Sequence, residues 1–273
     1  MQKAPILVIG STGKTGRRIV QRLKALGHAV REGSRQSSPP FFWEKPATWA
    51  DALRGVEAVY LAYAGDLAAP GAPQVIEHFT ASAKHAGVQR LVLLSGRGEV
   101  HAQHCEQIVR ASGPVTTVVR ASWFSQNFSE GHLLGPVLEG SVALPAGNVR
   151  EPFVDTDDIA DVAVAALTDG RHAGQVYELT GPRLLTFSDA AAEISRAAGR
   201  EVQYRAVSLT EFHGALTAQA GPDFADLFTG LCKEVFDGRN ESLGDGVQKA
   251  LGRPPRDFWD FCREAAAAGV WNP

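Results

Sequence analysis

The sequence predicts an α/β fold in which a doubly wound parallel sheet is followed by a smaller, mostly helical C-terminal lobe. Over residues 1–125, short runs of β-branched and aliphatic residues alternate with longer amphipathic stretches. A glycine-rich turn follows the first of these runs, and beyond residue 208 the pattern is mostly helical. Strands separated by helices form right-handed βαβ units, which place the strands in one parallel sheet.

The N-terminal half supplies the predicted strands. The first covers residues 5–10, a continuous apolar run that is typical of a strand buried on both faces. After the glycine turn we expect a helix that ends at Gly27. Its apolar face comprises Ile19, Val20, Leu23 and Leu26. The other predicted strands cover residues 28–34, 56–63, 88–95 and 115–120, with a helix over residues 72–86.

The C-terminal half has a different pattern. Residues 133–145 are expected to be irregular, because glycine and proline punctuate them. An acidic segment from Asp155 is expected to open a helix, where negative charge suits the helix dipole. Residues 186–189 and 208–211 are expected to cap two more helices, the latter through a capping box. No flexible linker precedes the last helices, so we expect a lobe over the open edge of the sheet.

Composition excludes several classes of protein. The chain has 273 residues and a formal net charge of −3, which gives no electrostatic footprint for nucleic acid or anionic lipid. Its length fits one large domain, or a main domain with a smaller lobe, that needs no disulfide or metal for stability. Cys105, Cys232 and Cys262 are scattered, which predicts reduced thiols, no zinc site and a cytoplasmic location. We also expect no membrane span and no signal peptide.

The glycine turn indicates a phosphate-binding loop. It comprises Gly10, Ser11, Thr12, Gly13, Lys14, Thr15 and Gly16. A P-loop would need a glycine at position 8, which is a valine inside the strand. A dinucleotide site needs glycines for a tight turn, for approach of the pyrophosphate and for close packing of helix on strand. The position of the turn between the first strand and the first helix favours the dinucleotide site, with the phosphates on the helix N-terminus.

The end of the second strand indicates which nicotinamide cofactor is bound. NAD sites place a carboxylate there, and NADP sites place a cation. Glu32 falls inside the predicted strand, whereas Arg35 follows it together with the hydroxyl groups of Ser34, Ser37 and Ser38. This pattern predicts a site for the 2′-phosphate of NADP(H). The alternative interpretation of Arg35 is a solvated loop residue.

Motifs along the whole chain carry a family resemblance. They are residues 10–16 (GSTGKTG), 34–35 (SR), 94–96 (LSG), 120–128 (RASWFSQNF), 153–160 (FVDTDDIA), 177–182 (YELTGP) and 251–255 (LGRPP). Together they resemble the NmrA-like atypical short-chain dehydrogenases, and residues 41–43 (FFW) are similar to the festuclavine/agroclavine-type branch. The resemblance implies a Rossmann-type fold that prefers NADP(H), with a cofactor domain over residues 1–130. A substrate-binding lobe over residues 131–273 would be partly interleaved with the sheet.

One departure from ordinary short-chain dehydrogenases affects the mechanism. Those enzymes carry a Tyr-x-x-x-Lys pair, in which the tyrosine is the acid and the lysine lowers its pKa. Aligning Glu106 and residues 112–113 with the family places Gly98 and Ala102 at those two positions. The pair is therefore expected to be absent, while Ser95 remains at the carboxyl end of its strand, where open α/β sheets bind ligands.

The candidate site residues fall into three groups. The catalytic candidates are Ser95, Tyr63 and His101. The cofactor candidates are Gly10, Ser11, Thr12, Gly13, Lys14, Thr15, Gly16, Ser34, Arg35, Ala62, Tyr63 and Ser95. The substrate candidates are Trp123, Phe124, Asn127 and Phe128. Asp66 is a possible counter-charge for a cationic substrate, and no metal ligand set is predicted.

Each catalytic or substrate candidate has a structural alternative. His101 and His104 are spaced for one helical face, and one of them could donate a proton, but exposed or capping histidines at the start of a helix explain them better. Tyr63 could orient the substrate or lie in the core or rim. The aromatic residues after the last predicted strand could form a wall of the site or pack in the core. The acidic residues 155–158 are better explained by a capped helix than by a metal.

These observations predict an NADP(H)-dependent oxidoreductase that transfers hydride to an iminium, imine, quinone or enone. Reduction of an iminium needs no proton donor, and quinones or activated enones tolerate a weak one. Two alternatives remain: a redox sensor that binds NADP(H) with little catalysis, and a non-redox isomerase or cyclase on the same fold. The expected partner is a small-molecule substrate, and the expected state is a monomer or homodimer.

Overall fold

A six-stranded parallel sheet forms the centre of the computed structural model, which describes residues 4–272. Its strands are β1 (Ile6–Ile9), β2 (Val30–Gly33), β3 (Ala58–Leu61), β4 (Arg90–Gly96), β5 (Val115–Ala121) and β8 (Val176–Leu179). Their order across the sheet is β2-β1-β3-β4-β5-β8. The chain thus runs from β1 to β2 on one side and returns to β3 on the other, which places a topological switch point between β1 and β3. The predicted doubly wound parallel sheet is confirmed.

Helices follow the strands along the chain. In order they are α1 (Lys14–Ala25), α2 (Trp49–Leu53), α3 (Ala72–His85), α4 (Val100–Ala111), α5 (Asn127–Glu130), α6 (Leu134–Leu138), α7 (Thr156–Thr168), α8 (Phe187–Ala198), α9 (Leu209–Ala220), α10 (Pro222–Val235), α11 (Gly246–Leu251) and α12 (Phe258–Ala267). Two short 3-10 helices span Pro46–Thr48 and Gly170–His172.

Both faces of the sheet are covered. On one face α1, α7 and α11 bury apolar residues such as Leu23 and Ile159 against the strands. On the other face, α2, α3 and α4 bury apolar residues such as Trp49 and Phe79. Burial on both faces explains why the strands are almost continuously apolar. Removing this surface from water is the main contribution to the stability of the sheet.

The C-terminal lobe has its own core. Two small sheets belong to it: β6 (Ser141–Leu144) pairs with β10 (Gln203–Ala206), and β7 (Arg150–Glu151) pairs with β9 (Leu185–Thr186). Phe128, Phe153, Phe187 and Phe258 pack edge-on or tilted against one another at its centre. The predicted smaller, mostly helical lobe is confirmed.

One local expectation was wrong. Residues 133–145 are not irregular, because they contain α6 and β6. β6 forms by pairing with β10 about sixty residues later in the chain, and residues this far apart cannot be recognised as partners from local glycine and proline punctuation.

The predicted helix ends are confirmed where they depend on local chemistry. The Asp155 carboxylate accepts a hydrogen bond from the backbone N–H of Asp157 at 2.7 Å. Thr186 with Asp189 forms a capping box, and Ser208 with Glu211 forms another. Gly27 follows α1 with a φ of +75°, a left-handed conformation that glycine adopts without strain.

The chain after residue 130 contributes to the sheet as well as to the lobe. It supplies β8, which pairs with β5, and it supplies α7 and α11. Residues 243–251 pack along β8, which is the last strand in the order of the sheet. A side chain at Gly244 or Gly246 would overlap the backbone of Glu178 there. A division into domains at residue 130 stays a prediction. None of the helices within residues 4–272 has the length and apolar character needed to cross a membrane.

Candidate active site

The glycine turn joins β1 to α1 at the switch point. Gly10 has a φ of +73°, and its carbonyl oxygen accepts a hydrogen bond from the N–H of Gly13 at 2.9 Å. A Cβ on Gly16 would overlap that same carbonyl group, so the close approach of helix and turn requires glycine. Gly13 precedes α1 without a side-chain cap, and the first turn of α1 contains no acidic residue. The N–H groups of this helix end are therefore available to an anion.

The hydroxyl groups of the turn fit the same conclusion. The Ser11 Oγ is buried without a hydrogen-bond partner in the described structure. A buried orphan hydroxyl is costly unless a ligand or water satisfies it. The buried Tyr60 hydroxyl of β3 donates a hydrogen bond to the Thr15 Oγ1 at 2.9 Å, which fixes the orientation of the Thr15 side chain. These residues fit the pyrophosphate of a dinucleotide.

A groove of about 570 Å³ lies beside the turn, against the loop that follows β2. It is lined by Pro5, Thr12, Val30, Arg31, Glu32, Ser34, Gln36, Ser37 and Ser38. The loop is ordered by its own hydroxyls, since the Ser37 Oγ donates to the Ser34 carbonyl at 2.8 Å. Glu32 lies within β2 and pairs with Lys24 at 2.7 Å. Arg35 is exposed at the loop and forms no ion pair with any residue in the range 4–272, so its guanidinium is available to a phosphate.

A cavity of about 340 Å³ opens at the carboxyl ends of β3, β4 and β5. Among the residues predicted from the sequence, it is lined by Lys14, Tyr63, Ser95, Trp123, Phe124 and Asn127. Residues from α10 close one side of it, namely Phe228, Leu231 and Val235. The volume lies within the range of small-molecule sites. Its place next to the glycine turn is where open α/β sheets bind ligands.

Two predicted site residues lie elsewhere. Phe128 is only 1% exposed and packs in the core of the lobe, because α5 turns it away from the cavity. His101 is exposed on α4 and does not line the cavity, and the same holds for His104. α4 directs Ala102 and Cys105 into the core beneath the sheet, and the neighbouring His101 and His104 are exposed.

The cavity has an aromatic wall. Trp123 stacks on Phe236 with ring centroids 5.1 Å apart and meets Phe187 edge-on at 5.5 Å. On the opposite side, Tyr63 meets Trp43 edge-on at 5.1 Å, and burial raises the pKa of the Tyr63 hydroxyl. Such rings are held by their neighbours and present faces suited to a flat or cationic ligand.

The polar groups near Ser95 form a fixed network. The Ser95 Oγ donates to Glu106 at 2.6 Å, and Glu106 is held by Arg120 through two hydrogen bonds of 2.9 Å and 2.6 Å. Arg120 also donates to Glu178 at 2.7 Å. Since the Ser95 proton is committed to a carboxylate, Ser95 can accept hydrogen bonds from a ligand but is a poor source of a proton.

Lys14 and His132 face the cavity from the side of the glycine turn. The Lys14 Nζ donates to the Asn127 Oδ1 at 2.9 Å, and burial lowers the pKa of its ammonium group. The rings of Trp123 and Phe228 pack against His132, and the desolvation that they cause, with the charge of Lys14, lowers the pKa of this partly exposed side chain. His132 is therefore neutral at physiological pH and was not recognised from the sequence.

A pair of carboxyl groups, Asp66 and Glu99, also lines the cavity, and Glu99 was not recognised from the sequence. The two share a hydrogen bond, and burial raises the pKa of each. For Glu99, burial and the neighbouring Asp66 raise the pKa to about 9. Carboxyl groups this close do not both ionise, so the pair retains one proton at neutral pH.

The two positions predicted to align with the Tyr-x-x-x-Lys pair carry no acidic or basic side chain. Gly98 lies in the turn before α4, with a φ of +81°. Ala102 is fully buried in the core beneath the sheet. Within residues 4–272 no cluster of three or more histidine, cysteine or carboxylate side chains is arranged to hold a metal.

Comparisons with known proteins show the family of this chain. The model of the NmrA-like family matches residues 43–228. The chain is 34% identical over 286 residues to an uncharacterised oxidoreductase of Bacillus subtilis, YesF, covering 100% of this chain and 98% of that protein. It is 33% identical over 283 residues to agroclavine dehydrogenase of Claviceps fusiformis, covering 94% and 95%. Its fold is similar to that of an NADPH-dependent quinone oxidoreductase from Escherichia coli complexed with NADPH, with a TM-score of 0.75, 23% identity and coverage of 95% and 99%.

Fold and glycine turn together define a dinucleotide-binding protein of the Rossmann type. The chain belongs to the NmrA-like family of atypical short-chain dehydrogenases. The predicted family and the predicted oxidoreductase class are confirmed.

Proposed function

We propose that this NmrA-like oxidoreductase uses NADPH to reduce a small conjugated or cationic organic acceptor: an iminium, a quinone or an enone. The observation that carries the proposal is the cavity, which brings the start of α1, an aromatic wall and a carboxyl pair together at the carboxyl ends of the central strands. Names of similar proteins support it, since they include a dehydrogenase and an NADPH-dependent quinone oxidoreductase.

The residues around the glycine turn would hold the cofactor. The N–H groups at the start of α1 and the Ser11 hydroxyl would bind the pyrophosphate, and Ser34 with Arg35 would bind the 2′-phosphate. Ala62, Tyr63 and Ser95 lie at the ends of β3 and β4, toward the nicotinamide side of such a site. When bound, NADPH supplies the hydride.

The residues that line the cavity would bind the acceptor. Trp123, Phe124 and Phe228 offer aromatic surface that a flat acceptor would contact after water is displaced. Asp66, held by the N–H of Ala68 at 2.8 Å, offers a negative charge to a cation. These groups orient an acceptor and exclude water, which is the contribution that a hydride transfer requires of the protein.

Arg35 tests the cofactor assignment. We expect NADPH to bind at least about tenfold more tightly than NADH, since one charge-assisted pair contributes on the order of 1.4 kcal/mol or more. Arg35→Asp should abolish or reverse this preference, because it places a carboxylate where the 2′-phosphate binds. Titration calorimetry with both cofactors measures the ratio.

The control for this variant is Arg110→Asp, which makes the same charge change at an exposed residue in the last turn of α4. It should keep the preference for NADPH. Equal affinities for NADPH and NADH in the unaltered protein would contradict the assignment of Arg35.

A panel of acceptors tests the proposed reaction. An iminium, a quinone and an enone should each give a kcat/KM at least about tenfold higher than a simple ketone. A simple ketone has neither the extended flat surface that the aromatic wall can contact nor the positive charge that Asp66 can hold, and its reduction leaves a strongly basic alkoxide. The other acceptors leave a neutral amine or a delocalised, weakly basic anion. Loss of absorbance at 340 nm follows each reaction.

The same panel can overturn the proposal. Efficient turnover of the ketone, equal to that of the conjugated acceptors, would show that the cavity does not select conjugated or cationic acceptors, and it would contradict the proposed acceptor class. Binding of NADPH without turnover of any acceptor would favour the redox-sensor alternative.

A further inference from the structure

We propose that Glu99 is the acid that protonates neutral acceptors in this cavity, and that Asp66 is its charged partner. The inference rests on the proposed NADPH-dependent reduction and names the residue that replaces the missing tyrosine as proton donor. It divides the acceptors into two classes: quinones and enones depend on Glu99, whereas iminium ions do not.

The position of the Glu99 side chain is the first argument. Glu99 directly precedes α4, where an acidic residue usually caps the helix, but its carboxyl group makes no capping hydrogen bond. The exposed N–H of Val100 is instead taken by Glu234 of α10 at 3.0 Å. The Glu99 carboxyl group turns back over the end of β4 and lies so close to Gly96 that a side chain there would overlap it. Its place is thus inside the cavity, next to Ser95.

The partner of Glu99 favours its protonated form. Asp66 comes from the loop after β3, where the backbone N–H of Ala68 donates to its Oδ1 at 2.8 Å. A carboxylate that accepts such a bond is stabilised in its charged form. Within residues 4–272, Glu99 accepts no backbone hydrogen bond of this kind. Its hydrogen bond with Asp66 raises the pKa of Glu99 and lowers that of Asp66, which favours the proton on Glu99.

The other charged groups around Glu99 do not reverse this arrangement. Those facing it with negative charge are Asp66, Glu234 and Glu106. Of the cations that line the cavity, Lys14 is directed to Asn127, and Arg97 donates to the Asn240 carbonyl at 2.8 Å and to Ser242. Burial, together with these three carboxylates, therefore raises the pKa of Glu99 to about 9.

Other donors that line the cavity are less suited. The Ser95 hydroxyl, which donates to Glu106, is a far weaker acid than a carboxyl group, and His132 is neutral because its pKa is lowered. The Tyr63 hydroxyl remains a weak acid, because burial raises its pKa above the ordinary value. A carboxyl group is the stronger acid of the two. The repulsion between the carboxylate that it leaves and Asp66 is relieved when Glu99 regains a proton from water.

Atoms and electrons balance in the proposed reduction of an enone or a quinone. An enone or quinone receives a hydride, which is an electron pair with a hydrogen nucleus, from NADPH at carbon. The π electron pair of the acceptor then moves onto the carbonyl oxygen. The O–H bond of Glu99 breaks, and its proton forms a new O–H bond on that oxygen. Glu99 is left as a carboxylate and regains a proton from water. An iminium instead becomes a neutral amine, because its π electron pair moves onto the positively charged nitrogen.

Glu99→Gln tests the proposal, since glutamine keeps the shape and the neutral charge of a protonated glutamate but cannot release a proton. With 2-cyclohexen-1-one as the enone and 1,4-naphthoquinone as the quinone, kcat should fall by about 10²-fold or more. With N-methyl-3,4-dihydroisoquinolinium as the iminium, kcat should stay within about threefold. In the unaltered protein the enone rate should decrease as the pH rises through about 9, where Glu99 loses its proton, and Glu99→Gln should remove this decrease.

Two further variants supply a control for Glu99→Gln and a test of the charge on Asp66. Glu139→Gln is the matched control, because it makes the same change at an exposed residue that follows α6 and lies outside the cavity lining. It should change the enone rate by no more than about twofold. Asp66→Asn should raise KM for the iminium more than for the enone, since it removes the negative charge. Equal loss of activity of Glu99→Gln on both acceptor classes, or no loss on the enone, would overturn the role of Glu99. Failure of the unaltered protein to reduce any of these acceptors would overturn the proposed function itself, and the inference with it.

Discussion

Replacing Gly16 with valine is expected to raise the dissociation constant of NADPH by at least about 100-fold. Any Cβ at this position overlaps the Gly10 carbonyl group and comes within 3.0 Å of the Ser11 Cα, so the turn must move away from the start of α1. The displaced turn loses hydrogen bonds to the pyrophosphate, and two bonds to a charged group are worth about 3 kcal/mol or more together. Titration calorimetry gives the dissociation constant, and thermal unfolding without cofactor reports how much of the effect is on the fold.

A matched control is Gly214→Val, because Gly214 lies within α9 and a Cβ there meets no atom within 4 Å. It should leave the affinity for NADPH unchanged. Unaltered NADPH binding by the Gly16→Val variant would show that the cofactor does not depend on this turn, and it would contradict the dinucleotide site.

Much of the cofactor side could be predicted because it depends on local rules. The glycine spacing at residues 10–16 reflects a turn that only small residues permit, and the structure shows the overlap that a side chain at Gly16 would cause. The capping residues Asp155, Thr186 and Ser208 bond to backbone N–H groups two or three positions away. Such contacts are determined by the neighbouring sequence and do not depend on how distant parts of the chain pack.

The acceptor side could be predicted only in part, because it is assembled from distant segments. Trp123, Phe124 and Phe128 are nearly consecutive, yet only the first two reach the cavity. Which of them does so depends on how α5 packs against the lobe. Phe228 of α10 reaches the same cavity from more than a hundred positions away, and no local pattern indicates this.

The two acidic residues illustrate a different limit. Asp66 was recognised as a counter-charge, but nothing in the sequence near Glu99 shows that the two carboxyl groups share a hydrogen bond.

The helical spacing of α4 bears on the exposure of its two histidines. Ala102, Cys105 and Val109 mark the buried face of α4 by their helical spacing, so His101 and His104 could have been assigned to the exposed face from the sequence.

Arg120→Met is expected to lower the free energy of unfolding by about 3–5 kcal/mol, because it leaves a buried charge without its cation. Glu106 is only 4% exposed, and both of its oxygens accept hydrogen bonds from Arg120. After the substitution, the Ser95 hydroxyl is its one remaining partner in the described structure. Glu178, the other partner of Arg120, is half-exposed and can be solvated by water. Urea unfolding followed by tryptophan fluorescence measures the change.

The double variant Glu106→Gln with Arg120→Met separates the loss of the cation from the loss of packing. Removing both charges leaves no unpaired carboxylate, so most of the stability lost in Arg120→Met should return. Arg54→Met is the matched exposed control: its partner Asp51 lies at 2.5 Å, but both side chains are mostly in water, so the loss should not exceed about 1 kcal/mol. If Arg120→Met cost no more than Arg54→Met, water would have to reach Glu106, and the network beneath Ser95 would not be the fixed support that its hydrogen bonds indicate.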